Sequence, residues 1–374
     1  MNLYQQSIDI ILKNQHKSGA YIASPNFPTY AYSWFRDGSF IAYAMDRADY
    51  YESSRQFHLW CGKVIEHQAS KIETLVLQKK AGAEIKTEEY LPARFNLDGS
   101  IIGDDWTDFQ MDGYGSWLWA LSEHLRLIND ENLLRDVTPA VELILKYLIT
   151  FWDRPCYDCW EEHLEAIHLY TLASIHAGLI SAQKILKNQA QLPISETIEK
   201  IRTYIREKAV HPDGYYRKLI YPNSTIGNPE LTNMVDASLI GLAVPYEFQA
   251  VNHEIIYRTL QKIERNLYYP NGGVYRNLND TYYGGGEWIL LAAWLGWYWC
   301  RIGQYEKAAQ IKSFINKQAD EAGNLPEQVS DHLLAPSYYS EWVNRWGEIA
   351  SPLLWSQAMY IILCDELEDH EKSH

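Results

Sequence analysis

The sequence lacks any segment that would direct export or cross a membrane. Its N-terminal stretch has no basic region, no continuous apolar run and no small-residue cleavage site, so no signal peptide is expected. The longest apolar run, Trp288–Cys300, is too short to span a bilayer and predicts a buried helix. Cysteine is scarce and odd in number, with five residues, which argues against a disulfide framework. Together these absences predict a cytoplasmic location.

Positive charge is also in short supply. The chain has 33 Lys and Arg against 48 Asp and Glu, a net charge of −15. Nucleic acids and anionic membranes attract basic surfaces, so neither is expected as a partner. Aromatic residues are plentiful, with 14 Trp and 28 Tyr. Their apolar faces and polar edges suit stacking on sugar rings, although most of them are expected to pack the core.

The alternating pattern of strands is scarce, and no low-complexity linker or strict repeat divides the chain. We therefore predict one all-α domain over residues 1–374. Twelve helices without a sheet favour a bundle, a solenoid or a closed ring of helical hairpins, and the absence of repeats disfavours the solenoid. Helical periodicity places the twelve helices at 2–16, 37–52, 53–80, 112–129, 131–152, 165–187, 194–209, 236–248, 253–267, 286–302, 304–320 and 351–368.

Six long loops rich in Trp, Tyr and charged residues alternate with short connections. Long loops in a compact domain are usually functional. If each joins one helical hairpin of a ring to the next, all six gather at one end, where we expect a pocket. The loops cover 18–36, 85–111, 153–164, 210–235, 268–285 and 322–350.

The third loop contains an acidic stretch, CYDCWEEHLE at 156–165, in which Glu161 and Glu162 directly follow Trp160. A carboxyl group beside an indole loses water, which raises its pKa and makes it a proton donor near neutral pH. The alternative is a surface pair near a helix start, where the helix dipole favours anions.

The first loop brings an Arg–Asp pair to a predicted helix start, after alternating aromatic residues. Asp37 could be a plain N-cap. Arg36, however, offers a planar fork of donors and Asp37 an acceptor. With Trp34 they could hold neighbouring hydroxyls of a sugar.

A metal or redox role is a weaker hypothesis. Cys156 and Cys159, with His163 and His168 downstream, have metal-like spacing. A structural zinc site usually needs four matched ligands, and a redox pair needs a thioredoxin-like context. Neither is found, so we expect no metal and no cofactor.

Six short motifs follow one another from Tyr30 to Trp355: YxYxWxRD, WxxxQxDG, WEE, RxxxDTYYxG, PEQ and PLxWSxA. In these motifs and their order, the chain resembles glycoside hydrolase family 15, the family of glucoamylase-like enzymes. The resemblance implies an (α/α)6 barrel of twelve helices with the catalytic pocket formed by the long loops at one end. This agrees with the helix count reached from periodicity.

The resemblance also implies the site residues. Glu161 matches the general acid and Glu327 the general base. The other matched positions, all expected to contact substrate or the attacking water, are Tyr30, Trp34, Arg36, Asp37, Trp106, Trp160, Glu162, Arg276, Gln328 and Trp355.

The roles of these positions differ. Tyr30 and Gln328 match residues that help to hold the attacking water. Arg36 and Asp37 match a clamp on the non-reducing-end glucose, and Arg276 matches another glucose ligand. The implied activity is that of an inverting, exo-acting α-glucosidase, whose two carboxyl groups should lie about 6.5–9.5 Å apart.

Short substrates are expected. The β-sandwich and starch-binding domains of many relatives are missing from this sequence, and Gly284–Glu287 departs from the common family pattern. Isomaltose and isomaltooligosaccharides, or maltooligosaccharides, are the expected small-molecule substrates.

Three alternatives stay open. The family contains trehalases. A non-catalytic sugar-binding protein could use the same barrel, although the presence of both glutamates argues against it. An inverting phosphorylase would need a basic phosphate pocket near the base, which Gln328 and Val329 do not supply.

Overall fold

The computed structural model describes residues 2–106, 108–186, 192–222 and 228–373, and these are mostly helical. None of the described helices is long and apolar enough to cross a bilayer. The α-helices are α1 Leu3–Asn14, α2 Phe35–Arg47, α3 Tyr51–His67, α4 Ala69–Lys80, α5 Asp112–Ile128, α6 Glu131–Phe151, α7 Leu169–Ile185, α8 Ile194–Lys208, α9 Pro229–Thr232, α10 Glu254–Leu267, α11 Ile289–Arg301, α12 Tyr305–Gln318, α13 Tyr339–Trp346 and α14 Leu354–Ser373.

Short 3-10 helices and two-residue strands supplement these helices. The 3-10 helices lie at Pro28–Tyr30, Thr87–Glu89, Ala237–Leu242, Tyr282–Gly284 and Pro336–Tyr338. The strands form three antiparallel pairs, which are β1 Ser33–Trp34 with β2 Arg94–Phe95, β3 Ile167–His168 with β4 Leu219–Ile220, and β5 Glu287–Trp288 with β6 Gln328–Val329.

Two concentric rings make up the architecture. The inner ring runs α2, α5, α7, the 3-10 helix Ala237–Leu242, α11 and α14, and α14 packs back onto α2 to close it. The outer ring consists of α1, α3, α6, α8, α10 and α12, each packed against an inner member. This is an (α/α)6 barrel, and the predicted fold class is confirmed.

The sequence of each helix suits its ring. Inner helix α11 is apolar around its whole circumference and is buried from Ile289 to Cys300. Outer helix α10 buries one stripe, which includes Ile256, Leu260 and Ile263, and turns its polar side outwards. The inner helices α5 and α7 approach so closely that a Cβ on Gly115 would lie 2.5 Å from the backbone of Ser174.

Several predicted helix boundaries are wrong, and three of these cases have a local explanation or change the element itself. The helix placed at 53–80 is two helices, α3 and α4, which meet at Gln68 without a Pro or Gly to mark the break. The helix placed at 236–248 is only a 3-10 helix, Ala237–Leu242. Pro245 cannot continue a helical ladder. The helix placed at 165–187 begins only at Leu169, because Ile167 and His168 form β3.

The sixth loop was predicted to lack structure, but it contains α13. Tyr339, Trp342, Val343 and Trp346 recur at helical spacing and pack together in a small cluster around Tyr283. This helix lies beside the pocket described below. All five cysteines are buried free thiols.

Candidate active site

One pocket of about 410 Å³ lies where the long loops lead into the inner helices. Its lining includes residues at the N-terminal ends of α2, α11 and α14. Every predicted site residue except Gln328 lines it. Five of the six long loops contribute; no described residue of the fourth loop, 210–235, is part of the lining.

Glu161 is held by three side chains from other loops. Trp34 Nε1 donates a hydrogen bond to Oε1 at 3.0 Å, Gln110 Nε2 donates to the same oxygen at 3.2 Å, and Trp106 Nε1 donates to Oε2. Burial raises the pKa of this carboxyl even though Arg36 and these hydrogen bonds oppose the rise. A raised pKa is what a proton donor at neutral pH needs.

Loss of water is the expected cause of this raised pKa and the structure agrees, but the indoles bonded to Glu161 are not the expected one. The sequence suggested that the neighbouring Trp160 removes water from Glu161, but Trp160 Nε1 donates to Asp236 at 3.0 Å. The indoles that bond to Glu161 come from Trp34 and Trp106. Glu161 also does not sit at a helix start, because it occupies a tight turn with a positive φ of 67°.

Glu327 lies directly before β6 and lines the pocket. Only one of its two carboxylate oxygens accepts a hydrogen bond. The Tyr30 hydroxyl donates to Oε1 at 3.2 Å, and the hydroxyls of Tyr30 and Tyr282 are 2.7 Å apart. Oε2 is buried and has no hydrogen-bond partner. Burial raises the pKa of Glu327 to about 8, while the Tyr30 hydrogen bond and Arg276 act against this rise.

Arg36 and Asp37 form a buried charged corner of the pocket. Arg36 NH1 donates to Gln110 at 2.8 Å and to Asp112 at 3.2 Å, and Arg36 Nε lies 3.4 Å from Asp37 Oδ2. The alternative of a plain N-cap does not hold for Asp37, because α2 begins at Phe35 and Asp37 lies within its first turn. Burial raises the pKa of Asp37 to about 6.

Arg276 forms the opposite charged wall. Its NH2 group donates to Asp280 at 2.6 Å and to Glu162 at 3.0 Å. The guanidinium also lies over the rings of Trp160 and Trp288, 5.7 and 5.6 Å from their centroids. Glu162 is thereby tied to Arg276 and stays partly exposed at the pocket.

Gln328 does not lie where the resemblance suggested. Its Oε1 accepts a hydrogen bond from the backbone of Gly286 at 2.8 Å, and its Nε2 donates to the carbonyl of Tyr282 at 3.2 Å. The side chain therefore fixes the 282–286 loop and is absent from the pocket lining.

Several pocket residues were not predicted as site residues. Tyr282 belongs to the DTYY motif and supports Tyr30. Trp342, Arg345 and Trp346 come from α13, where Arg345 lies over the two indoles at 5.5 and 5.0 Å. Trp346 also packs on Trp106 with ring centroids 5.3 Å apart. The 339, 342, 343, 346 spacing was the signal in the sequence that could have revealed this wall.

Four buried polar atoms of the pocket residues make no hydrogen bond, although two of them, Arg36 Nε and Asp37 Oδ2, form an ion pair. The four atoms are Arg36 Nε, Asp37 Oδ2, Glu327 Oε2 and Trp355 Nε1. Buried polar atoms are almost always paired, so such a cluster calls for a partner rich in hydroxyl groups. A cavity of 410 Å³ lies within the range of small-molecule sites.

Comparison with known proteins agrees with this arrangement. The family model described as glycosyl hydrolases family 15 matches residues 1–313. The chain belongs to glycosyl hydrolase family 15.

This family 15 glycoside hydrolase is similar in sequence to the isomaltose glucohydrolase of Kribbella flavida, with 37% identity over 98% of this chain and 92% of that protein. It is more distantly similar to trehalase 2 of Sulfolobus acidocaldarius, with 23% identity over 88% of this chain and 59% of that protein. A solved glycosidase variant in complex with glucose superposes with a TM-score of 0.90 at 37% identity and covers 98% of this chain and 96% of its own.

Proposed function

We propose that this enzyme is an inverting, exo-acting α-glucosidase that releases β-glucose from the non-reducing end of short α-glucosides. The observation that carries the proposal is a pocket in which two buried carboxyl groups, Glu161 and Glu327, accompany buried polar atoms that make no hydrogen bond. A terminal glucose can offer hydroxyls to Asp37, Arg36 and Trp355 while its anomeric carbon lies between Glu161 and Glu327. The whole chain then acts as one catalytic domain.

In this mechanism Glu161 gives its proton to the glycosidic oxygen as the bond breaks. Trp34, Trp106 and Gln110 fix the carboxyl group, and all three can stabilise the carboxylate that remains. The developing oxocarbenium-like charge on the sugar is favoured by the surrounding acidic side chains.

Glu327 takes a proton from the attacking water. Oε2 has no other partner, and Tyr30 orients the carboxyl group through Oε1. A base must be ionised, and burial opposes this by raising its pKa to about 8. Because Glu161 must be protonated while Glu327 is ionised, the proposal implies a bell-shaped dependence of kcat/KM on pH.

For the linkage we propose isomaltose and isomaltooligosaccharides as preferred substrates. The support is the relative named isomaltose glucohydrolase, at 37% identity over nearly the whole of both chains. Maltooligosaccharides share the same terminal glucose and differ only in how the leaving sugar meets Glu162, Arg276 and the α13 wall.

A substrate panel tests the proposal. Glucose release should be measured from isomaltose, maltose, trehalose, kojibiose, nigerose and dextrin, with Glu327→Gln as the inactive control. We expect the highest kcat/KM on isomaltose. No release of glucose from any of these sugars by folded wild-type protein would overturn the proposed activity.

An α,α-trehalase is the second candidate, supported by the relative named trehalase 2. It predicts a different result in the same panel, with trehalose hydrolysed at least as well as isomaltose. The chemistry of Glu161 and Glu327 would be unchanged, because trehalose also presents an α-linked terminal glucose.

A further inference from the structure

A buried charged cluster lies behind the turn that carries Glu161. Lys218 Nζ is 3.0 Å from Asp158 Oδ2 and 2.9 Å from Asp236 Oδ2. All three side chains are at most 2% exposed, and Glu162 Oε2 lies 4.0 Å from the same ammonium group. Lys218 does not line the pocket.

The pairing of β3 with β4 brings Lys218 to this position, next to the start of α7. Lys218 comes directly before β4, whose residues Leu219 and Ile220 pair with His168 and Ile167 of β3. Its carbonyl accepts a hydrogen bond from the backbone of Leu169 at 2.9 Å. The fourth long loop therefore supplies a cation beneath the site, although none of its described residues lines the pocket.

Asp158 holds the turn on one side. Its Oδ1 accepts hydrogen bonds from the backbone N–H groups of Trp160 at 3.0 Å and Glu162 at 2.8 Å. Its carbonyl accepts the N–H of Glu161 at 2.9 Å. These bonds fix the residues on both sides of Glu161. The positive φ of 67° at Glu161 is unusual for a residue other than glycine.

Asp236 holds the turn on the other side. Its Oδ1 accepts the indole N–H of Trp160 at 3.0 Å and the N–H of Ser238 at 2.9 Å, while Oδ2 faces Lys218. Burial alone would lower the pKa of Lys218, but Asp158 and Asp236 raise it above its ordinary value, so the lysine stays charged.

Building on the proposed function, we propose that Lys218 is a positioning residue for the general acid. Its ammonium group neutralises Asp158 and Asp236 and keeps them together, and these two carboxylates hold the backbone and the tryptophan on either side of Glu161. Without the cation, two buried carboxylates would face each other unpaired, and the turn that aims Glu161 into the pocket would lose its support.

Leaving-group dependence separates this role from a merely structural one. A displaced general acid slows the hydrolysis of substrates with poor leaving groups. Hydrolysis of α-glucosyl fluoride barely needs protonation of the leaving group and is slowed much less. For Lys218→Met we expect kcat on isomaltose to fall about a hundredfold, with a loss on the fluoride of less than about threefold. Glu161→Ala gives the reference pattern for a missing acid, and circular dichroism checks folding.

Two further variants complete the design. Asp158→Asn keeps an oxygen for the two backbone N–H groups but removes the charge that faces Lys218, so it should shift the ratio of the two activities in the same direction even if the Lys218 variant does not fold. Asp46→Asn is the matched control. Asp46 is a buried carboxylate paired with His124 at 2.8 Å, and changing it should leave the ratio unaltered.

The outcomes are distinguishable. If Glu161→Ala spares the fluoride and the folded Lys218→Met or Asp158→Asn variant loses both activities equally, Lys218 does not position the acid, while the proposed function stands. If Glu161→Ala itself abolishes the fluoride activity, the acid assignment fails and the positioning role falls with it.

Discussion

Replacing Asp37 by asparagine should weaken catalysis while strengthening the fold. Asp37 Oδ2 is buried at the pocket, where it is ion-paired with Arg36 Nε at 3.4 Å but accepts no hydrogen bond, so a substrate hydroxyl can donate to it. Hydrogen bonds to charged groups contribute about 1.5–3 kcal/mol. Losing one corresponds to roughly a tenfold to hundredfold fall in kcat/KM.

The effect on stability follows from the raised pKa. Burial raises the pKa of Asp37 from 3.8 to about 6, so ionisation costs the folded state more than the unfolded state. This cost grows as pH rises from about 4 to 6 and is complete above that range. It corresponds to about 3 kcal/mol at most. An uncharged asparagine removes it, so at pH 7 the variant should unfold at a higher urea concentration than the wild type.

The assay pairs isomaltose kinetics with urea unfolding at pH 5 and pH 7, and the gain in stability should be larger at pH 7. Asp105→Asn is the control, because Asp105 lines the same pocket but is exposed. It should change neither quantity by much. A variant of Asp37 with normal kcat/KM, or one clearly less stable at pH 7, would refute this reasoning.

Three further predictions address neighbouring parts of the site. Tyr30→Phe removes a hydrogen bond that lowers the pKa of Glu327, so the limb of the kcat/KM profile that Glu327 sets should move to higher pH; two unchanged limbs would contradict this. Trp346→Ala should widen the pocket entrance and so raise kcat/KM on isomaltotetraose relative to isomaltose. Tyr339→Ala, on the same helix but outside the pocket, should not change this ratio. Gln328→Leu leaves the Gly286 N–H unpaired and should lower the free energy of unfolding by about 1–3 kcal/mol, whereas a loss of kcat at unchanged stability would restore its predicted role with water.

The ring could be predicted because each pair of helices has a clear apolar pattern and the loops alternate between long and short. Inner helices such as α11 are apolar around their whole circumference. A helix of this kind is stable in water only where other elements cover every side of it. The fourth inner member could not be predicted in its true form. Pro245 cannot continue a helix, and the segment forms only the short 3-10 helix Ala237–Leu242.

The motif residues come together because the loops that carry them lead towards the inner helices, and five of these loops line the pocket. What they could not predict is partners that are distant in sequence. Glu161 accepts hydrogen bonds from Trp34 and Trp106 rather than from the adjacent Trp160, and the cation beneath it, Lys218, belongs to no motif. Gln328 follows the base in the chain, yet the pairing of β5 with β6 turns it towards Gly286.

The anomer of the first glucose released tests the central claim most directly. Proton NMR of wild-type enzyme with isomaltose should show the β-anomer signal rising first, followed by α-glucose at the rate of mutarotation. This result would support attack by a water that Glu327 activates on the face opposite the leaving group. If α-glucose appears first, the enzyme retains configuration, and the assignment of Glu161 and Glu327 as an inverting pair is wrong.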